Sequence, residues 1–226
     1  MATFPVLNTP NDRFAEARRT MIERQIRRRG IRDERVLQAI GGVPRHEFVS
    51  PLYVYKAYDD EPLPIGCGQT ISQPYIVAAM LAAASLTGSE RVLEIGTGCG
   101  YQTAVLSLLA RGVYTVEFLP ELAHPAADRL ERLGFSNVHL HCGDGTLGWP
   151  EYAPYDAILI AAAAPRIPEP LLEQLAEDGR LVAPVGDHVD QEIQIVRKHE
   201  GRLQVEHGAP CRFVPLVGKY GWSDGS

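Results

Sequence analysis

The chain has 226 residues, of which 45 % are hydrophobic, enough to bury the core of one packed domain, and this excludes intrinsic disorder. Its formal net charge of −6 excludes the broadly basic surface that non-specific nucleic-acid binding needs. No basic, then apolar, leader opens the sequence, and apolar runs such as 76–86 and 157–164 are too short to span a bilayer. Taken in order, Thr9-Pro10 offers a cap and a first-turn proline, after which Phe14, Met21, Ile22 and Ile26 share one helical face until Gly30 stops the helix. A second short helix covers about 33–40 and ends at Gly41-Gly42. Residues 43–49 read as irregular, and Pro51, Pro62 and Pro64 prevent long elements in the stretch that follows. Gly66, Gly68 and small polar residues then lead into an apolar, alanine-rich helix over 75–86, for which Ser72 with Pro74 makes an ordinary N-cap.

From Arg91 onward strands and helices alternate. Strands are expected near 91–95, 113–117, 138–141, 155–160 and 180–184, and helices near 101–110, 119–133 and 168–176. Pro125 should kink the 119–133 helix or delay its start. The rhythm implies an α/β fold with a doubly wound, mostly parallel sheet. Gln191 to Arg197 and Leu203 to Val217, separated by His199-Glu200-Gly201-Arg202, read as a C-terminal antiparallel hairpin closing one sheet edge. The whole chain is expected to be a single domain, with an N-terminal helical and loop region over about 1–88 and the sheet over about 89–226.

The most informative stretch is Val92-Leu93-Glu94-Ile95-Gly96-Thr97-Gly98-Cys99-Gly100, a buried strand running into three alternate glycines and then a helix. A ligand at the carboxyl end of such a strand is expected. The dinucleotide fingerprint requires a glycine where Tyr101 stands, so the pyrophosphate reading is weak. Glu117 ends the next strand about 20 residues past Gly96, where a carboxylate meets ribose hydroxyls. The acid Glu94, the alternate glycines and Glu117 together resemble the S-adenosylmethionine site of class I methyltransferases; a glycine turn that only packs strand on helix is the alternative. Gly143-Asp144-Gly145 places another carboxylate after the third strand, suited either to an adenine amino group or to a plain turn.

No metal site is expected, because His46, His124, His139, His141, His188, His199 and His207 lack metal spacing with cysteine or acid partners. Ser72 lies outside any G-x-S-x-G elbow, so a nucleophilic triad is not expected. Cys67, Cys99, Cys142 and Cys211 form no C-x-x-C pair and should be free thiols in a reducing, cytoplasmic compartment.

Residues 92–107 resemble the cofactor motif of the protein-L-isoaspartate O-methyltransferase family. So do Val43-Pro44-Arg45, Pro64-Ile65-Gly66 with Gly68-Gln69-Thr70-Ile71-Ser72-Gln73-Pro74, Gly143-Asp144-Gly145 with Gly148-Trp149, Ala162-Ala163-Ala164-Pro165 and Arg212-Phe213-Val214-Pro215-Leu216. The likeness covers about residues 15 to 222 and is most specific at Gly68 to Pro74. It implies methyl transfer from S-adenosylmethionine, leaving S-adenosylhomocysteine, to the carboxylate of L-isoaspartyl residues in damaged proteins or peptides. It also implies a central role for Ser72 and cofactor contacts from Thr70, Ser72, Gln73, Glu94, Gly96, Gly98, Glu117, Asp144 and Gly145. A peptide groove lined by Ile65, Ile71 and Val214 is expected, with no nucleic-acid or membrane partner and a monomeric state. The chain departs from the family pattern at Ala161, Val217 and 118–125. Competing readings are a relative that methylates an aspartate of a biosynthetic peptide, a non-catalytic cofactor-binding module and an NAD-dependent oxidoreductase.

Overall fold

The computed structural model describes residues 13–222. The expected Thr9-Pro10 helix start lies outside the described residues. α1 (Ala15–Thr20) continues through a π-helical turn at Met21–Ile26 and a 3-10 turn at Arg27–Arg29, and Gly30, at φ +100°, ends it as the spacing predicts. α2 (Glu34–Gly42) is capped by the Asp33 carboxylate, which accepts from the Arg35 and Val36 amides, and it runs through both glycines expected to stop it. Met21, Ile26, Val36 and Ile40 are buried in the same core as Val92, Leu159 and Val182, so the N-terminal helices and one sheet face are packed together.

Two local readings change here. β1 (Leu63–Gly66) and β2 (Gln69–Ile71) form an antiparallel hairpin where the sequence reads only as a glycine-rich approach to a helix. Cys67 and Gly68, at φ 51° and 70°, make a two-residue turn whose twist suits paired strands. α3 (Pro74–Ala84) starts from Gln73, not Ser72, and no side chain caps it. Ser72 is one residue too far out to reach the first turn, so its hydroxyl is not used as a cap.

β3 (Arg91–Ile95) leads into α4 (Tyr101–Leu109), and β4 (Gly112–Glu117) leads into α5 (Pro120–Arg132). α5 begins at Pro120, so Pro125 sits inside it without delaying its start. β5 (Val138–Cys142) and β6 (Tyr155–Ile160) follow as expected. α6 (Glu169–Glu173) is shorter than its sequence suggests because Leu175 already pairs with Tyr155. β7 (Leu175–Gly186) is correspondingly longer, and β8 (Gln191–His199) with β9 (Arg202–Cys211) turns at Glu200-Gly201, both at positive φ.

The seven-stranded sheet has the order β5-β4-β3-β6-β7-β8-β9. Its first five strands are parallel, while β7-β8 and β8-β9 are antiparallel. Ala157 and Leu159 of β6 enter one core and Ile158 and Ile160 the other, which is why this strand is apolar without alternation. The four cysteines are free, and no described helix is long and apolar enough to cross a membrane.

At the carboxyl end of β3, Glu94 is fully buried. Its Oε2 accepts from the Thr103 hydroxyl at 2.5 Å and the Thr115 hydroxyl at 2.7 Å, and its Oε1 accepts from Gln102 at 3.1 Å. It thereby ties β3 to α4 and β4. Burial outweighs these donors and pushes its pKa from 4.5 up to about 7. An acid whose folded-state pKa is raised stabilises fully below its unfolded value and loses that contribution as pH climbs through the folded one. Relative to Glu94→Gln, the native protein should therefore lose stability, on the order of a few kcal/mol, as pH rises from about 4.5 to above 7. Paired thermal melts of both proteins across that range test this; a constant gap between them would show that Glu94 does not titrate there.

Candidate active site

β3 and β6 are neighbours although β4 and β5 come between them in sequence, so the chain leaves these two strands toward opposite sides of the sheet. Sheets of this kind bind ligands in the crevice at that point. A cavity of about 260 Å³ opens there. Two backbone bonds set its floor, from Gly96 N–H to the Val116 carbonyl and from Ala161 N–H to the Ile95 carbonyl, each 2.8 Å. Gly96 and Gly98 have φ of 91° and 55°, and a Cβ on either would stand 3.5 Å from Ala161 or 3.3 Å from Ile65. The turn therefore presents main chain to the cavity, and any side chain there would narrow it.

Glu117 ends β4 beside this turn and is 6 % exposed. Its Oε2 accepts from Gly98 N–H at 2.7 Å and its Oε1 from Leu119 N–H at 3.0 Å. A carboxylate has about four acceptor positions. Two are thus occupied, and the side chain still lines the cavity. Ile95, Val116, Phe118, Leu119 and Leu122 supply an apolar wall. Sequence reasoning did not pick out Phe118, Leu119 and Leu122 as a wall. Their signal was an apolar run directly after a strand-ending acid.

A second groove lies beyond Ser72, walled by Tyr75, Ile76, Phe213 and Arg212. Thr70, Ser72, Ala161 and Val214 line both cavity and groove. Ser72 is half-buried at this junction, and its hydroxyl makes no hydrogen bond among the described residues. Of the residues expected to line a peptide groove, Ile65 and Ile71 face the cavity, while Val214 reaches both spaces.

Gly96, Gly98, Glu117, Thr70 and Gly145 gather on the cavity as expected, and so do the departures Ala161 and Val217. Three expected residues do not. Gln73 lies on the groove, its amide donating to the Asp60 carbonyl at 2.9 Å, and Glu94 is sealed beneath the glycine turn. Asp144 is engaged by protein: its Oδ1 accepts from the Thr146 amide and hydroxyl, and its Oδ2 from Lys219 N–H at 2.8 Å. It pins the C-terminal segment against the loop after β5. That segment is fixed again where Ala163 exchanges backbone bonds of 2.8 Å with Val214 and Leu216, so residues 214–217 become one wall of the cavity. Away from this site, exposed Glu177, Asp178 and His199 bring ligand-type atoms within 4.8 Å of one another at the β7 and β8 ends. They are joined by a 2.7 Å contact between His199 and Asp178.

The glycine turn and the Glu117 carboxylate give the cavity a polar side, and Val116, Phe118 and Leu122 give it an apolar one. The chain is 52 % identical over 209 residues to a protein-L-isoaspartate O-methyltransferase of Syntrophobacter fumaroxidans, covering 92 % of this chain and 98 % of that one. A protein of the same description from Pelobacter propionicus is 54 % identical over 219 residues, or 96 % of this chain and 97 % of the relative. A solved protein-L-isoaspartate O-methyltransferase superimposes with a TM-score of 0.80 at 30 % identity, over 90 % of this chain and 67 % of the other. A Plasmodium falciparum structure in complex with S-adenosyl-L-homocysteine has the same fold, with a TM-score of 0.77 at 24 % identity over 88 % of this chain and 98 % of that one. The family described as protein-L-isoaspartate(D-aspartate) O-methyltransferase matches residues 16–221, and the chain belongs to it.

Proposed function

We propose that this protein transfers a methyl group from S-adenosylmethionine to the free carboxylate of L-isoaspartyl residues in damaged proteins or peptides. The observation that carries the assignment to this site is the position of Ser72. Its hydroxyl makes no hydrogen bond among the described residues and stands where the cavity at the glycine turn meets the second groove, so one space would take the cofactor and the other the peptide. Thr70, Gly96, Gly98, Glu117 and Gly145 would hold the cofactor, and Val214 with the groove walls would hold the peptide. Gln73, Glu94 and Asp144 support that arrangement from outside the cavity. The free thiols suit a reducing cytoplasm.

When bound, the cofactor supplies an electrophilic methyl on a sulfonium. The substrate carboxylate, with an ordinary pKa of about 4, is already ionised at neutral pH, so the site needs no strong base. What the chain contributes is placement and exclusion of water. The Ser72 hydroxyl donates to one carboxylate oxygen and leaves the other directed into the cavity. Thr70, Ala161 and Val214 line the passage between the two spaces. The methyl ester, unlike a free carboxylate, has a group that can leave, so the next backbone nitrogen of the peptide attacks the ester carbonyl, gives up its proton and expels methanol, closing a succinimide without further catalysis. Its hydrolysis restores part of the normal aspartyl linkage.

Loss of the Glu117 carboxylate strips two ribose hydroxyls of a charged partner and frees the Gly98 amide. Glu117→Ala should weaken S-adenosylhomocysteine binding by about 1.5–3 kcal/mol, roughly ten- to a hundredfold, with Glu117→Gln intermediate. Calorimetric titration reads this directly, and unchanged affinity would remove Glu117 from the cofactor site.

An ordinary aspartyl peptide presents its carboxylate about one bond length away from the isoaspartyl position, and a misplacement near 1 Å can cost about a hundredfold. Matched peptides carrying L-isoaspartate and L-aspartate should differ by at least that factor in kcat/KM. Equal values would point to a peptide-tailoring enzyme and against repair.

Because Ser72 caps nothing, Ser72→Ala should leave the melting temperature nearly unchanged while kcat falls roughly tenfold to a hundredfold, the worth of one hydrogen bond to a carboxylate. Cofactor affinity should hold. Ser72→Thr keeps the hydroxyl but crowds the passage and should also lose most activity. Native turnover in Ser72→Ala would sink the assignment.

A further inference from the structure

Arg45 is the largest fully buried side chain among the described residues, and the reaction as set out gives it no part. A guanidinium keeps its charge in proteins, and taking one out of water is expensive unless it is paired. No described carboxylate pairs with Arg45. Its Nε donates to the Ala57 carbonyl and its Nη2 to the Ser72 carbonyl, both at 2.8 Å, while Nη1 finds no partner. The charge lies 4.8 Å from the ring centroid of Tyr101, a buried residue that lines the cofactor cavity. Tyr101 is wedged in turn by the edge of Phe48 at 5.6 Å.

Ser72 itself lies in a gap between elements, since β2 ends at Ile71 and α3 begins at Pro74. Among the described residues its carbonyl accepts no other hydrogen bond, and Pro74 has no N–H to offer. Among the described residues, the one donor to the Ser72 carbonyl is therefore a buried cation that has no carboxylate partner. A Met of similar length would fill the same space without the desolvation cost, so packing alone does not account for an arginine here.

We infer that Arg45 is a positioning residue for methyl transfer: its rigid fork clamps the Ala57 and Ser72 carbonyls together and so sets the direction of the Ser72 hydroxyl at the junction of cavity and groove. A planar fork with several fixed donors holds two carbonyls in one geometry, which a flexible ammonium does not. The inference rests on the functional reading above, and the two fail separately.

The test is a double-mutant cycle on isoaspartyl-peptide methylation with the full-length protein, using Arg45→Met, Ser72→Ala and the pair. Melting temperature and S-adenosylhomocysteine affinity are measured on the same samples. Arg45→Met should bind S-adenosylhomocysteine within about threefold of the native protein yet lose at least tenfold in kcat, since displacements near 1 Å cost up to about a hundredfold. Arg45→Lys should recover only part of that loss. Added to Ser72→Ala, Arg45→Met should slow the reaction less than twofold further, because its effect passes through a hydroxyl already removed. Should Arg45→Met fail to bind S-adenosylhomocysteine, the same cycle is read with Arg45→Lys. Native kcat in the single variant, or losses that multiply in the pair, would overturn the role of Arg45 while leaving the enzyme assignment intact. An unmodified protein that methylates no isoaspartyl peptide would overturn the functional reading itself.

Discussion

The parallel register of β3 against both β4 and β6 is the constraint on which the rest of the structure depends. Strands buried on both faces leave only their ends for chemistry, and this pairing brings three of those ends side by side. The ladder runs one bond past the strands, through Gly96 N–H and Ala161 N–H, and so fixes the two backbones between which the cavity opens. Without that extension the glycine turn would have no set distance from Glu117, and the Gly98 amide would not meet its carboxylate at 2.7 Å.

Two glutamates on adjacent strands show how position assigns their roles. Glu94 is sealed by two threonine hydroxyls and a glutamine, and burial favours its protonated form near neutrality. Glu117, at the next strand end, is held by backbone amides and opens onto the cavity. The negative charge of Glu117 nearby adds a little to the upward pressure that burial puts on the Glu94 pKa. One acid stiffens the frame and the other faces the cavity.

The remaining walls come from two segments outside the parallel strands. The β1-β2 hairpin brings Ile65, Thr70 and Ile71 over the cavity, and the segment 214–217, held by Ala163 and Asp144, covers it from the other side. Ser72 sits between these contributions and belongs to no regular element, which is why a buried arginine from yet another segment holds it.

What the sequence determined by itself was whatever rests on short-range patterning. The apolar runs of β3, β4 and β6, the glycines after β3, the acid ending β4 and the Glu200-Gly201 turn are local signals. Each forces a local conformation, and their alternation implies a parallel sheet with a site at its carboxyl edge. The roles of Asp144 and Glu94 were not legible, because what occupies a carboxylate depends on donors such as Lys219 and Thr103 that only folding brings near. The Ser72 cap was misread for a similar reason: Ser-x-Pro fits a helix start locally, but the chain enters α3 from a hairpin that places Gln73 at the N-cap. Arg45 carries no local sign of its role at all. A buried charge meets its partners 12 and 27 residues away, and only tertiary structure could decide that it holds Ser72.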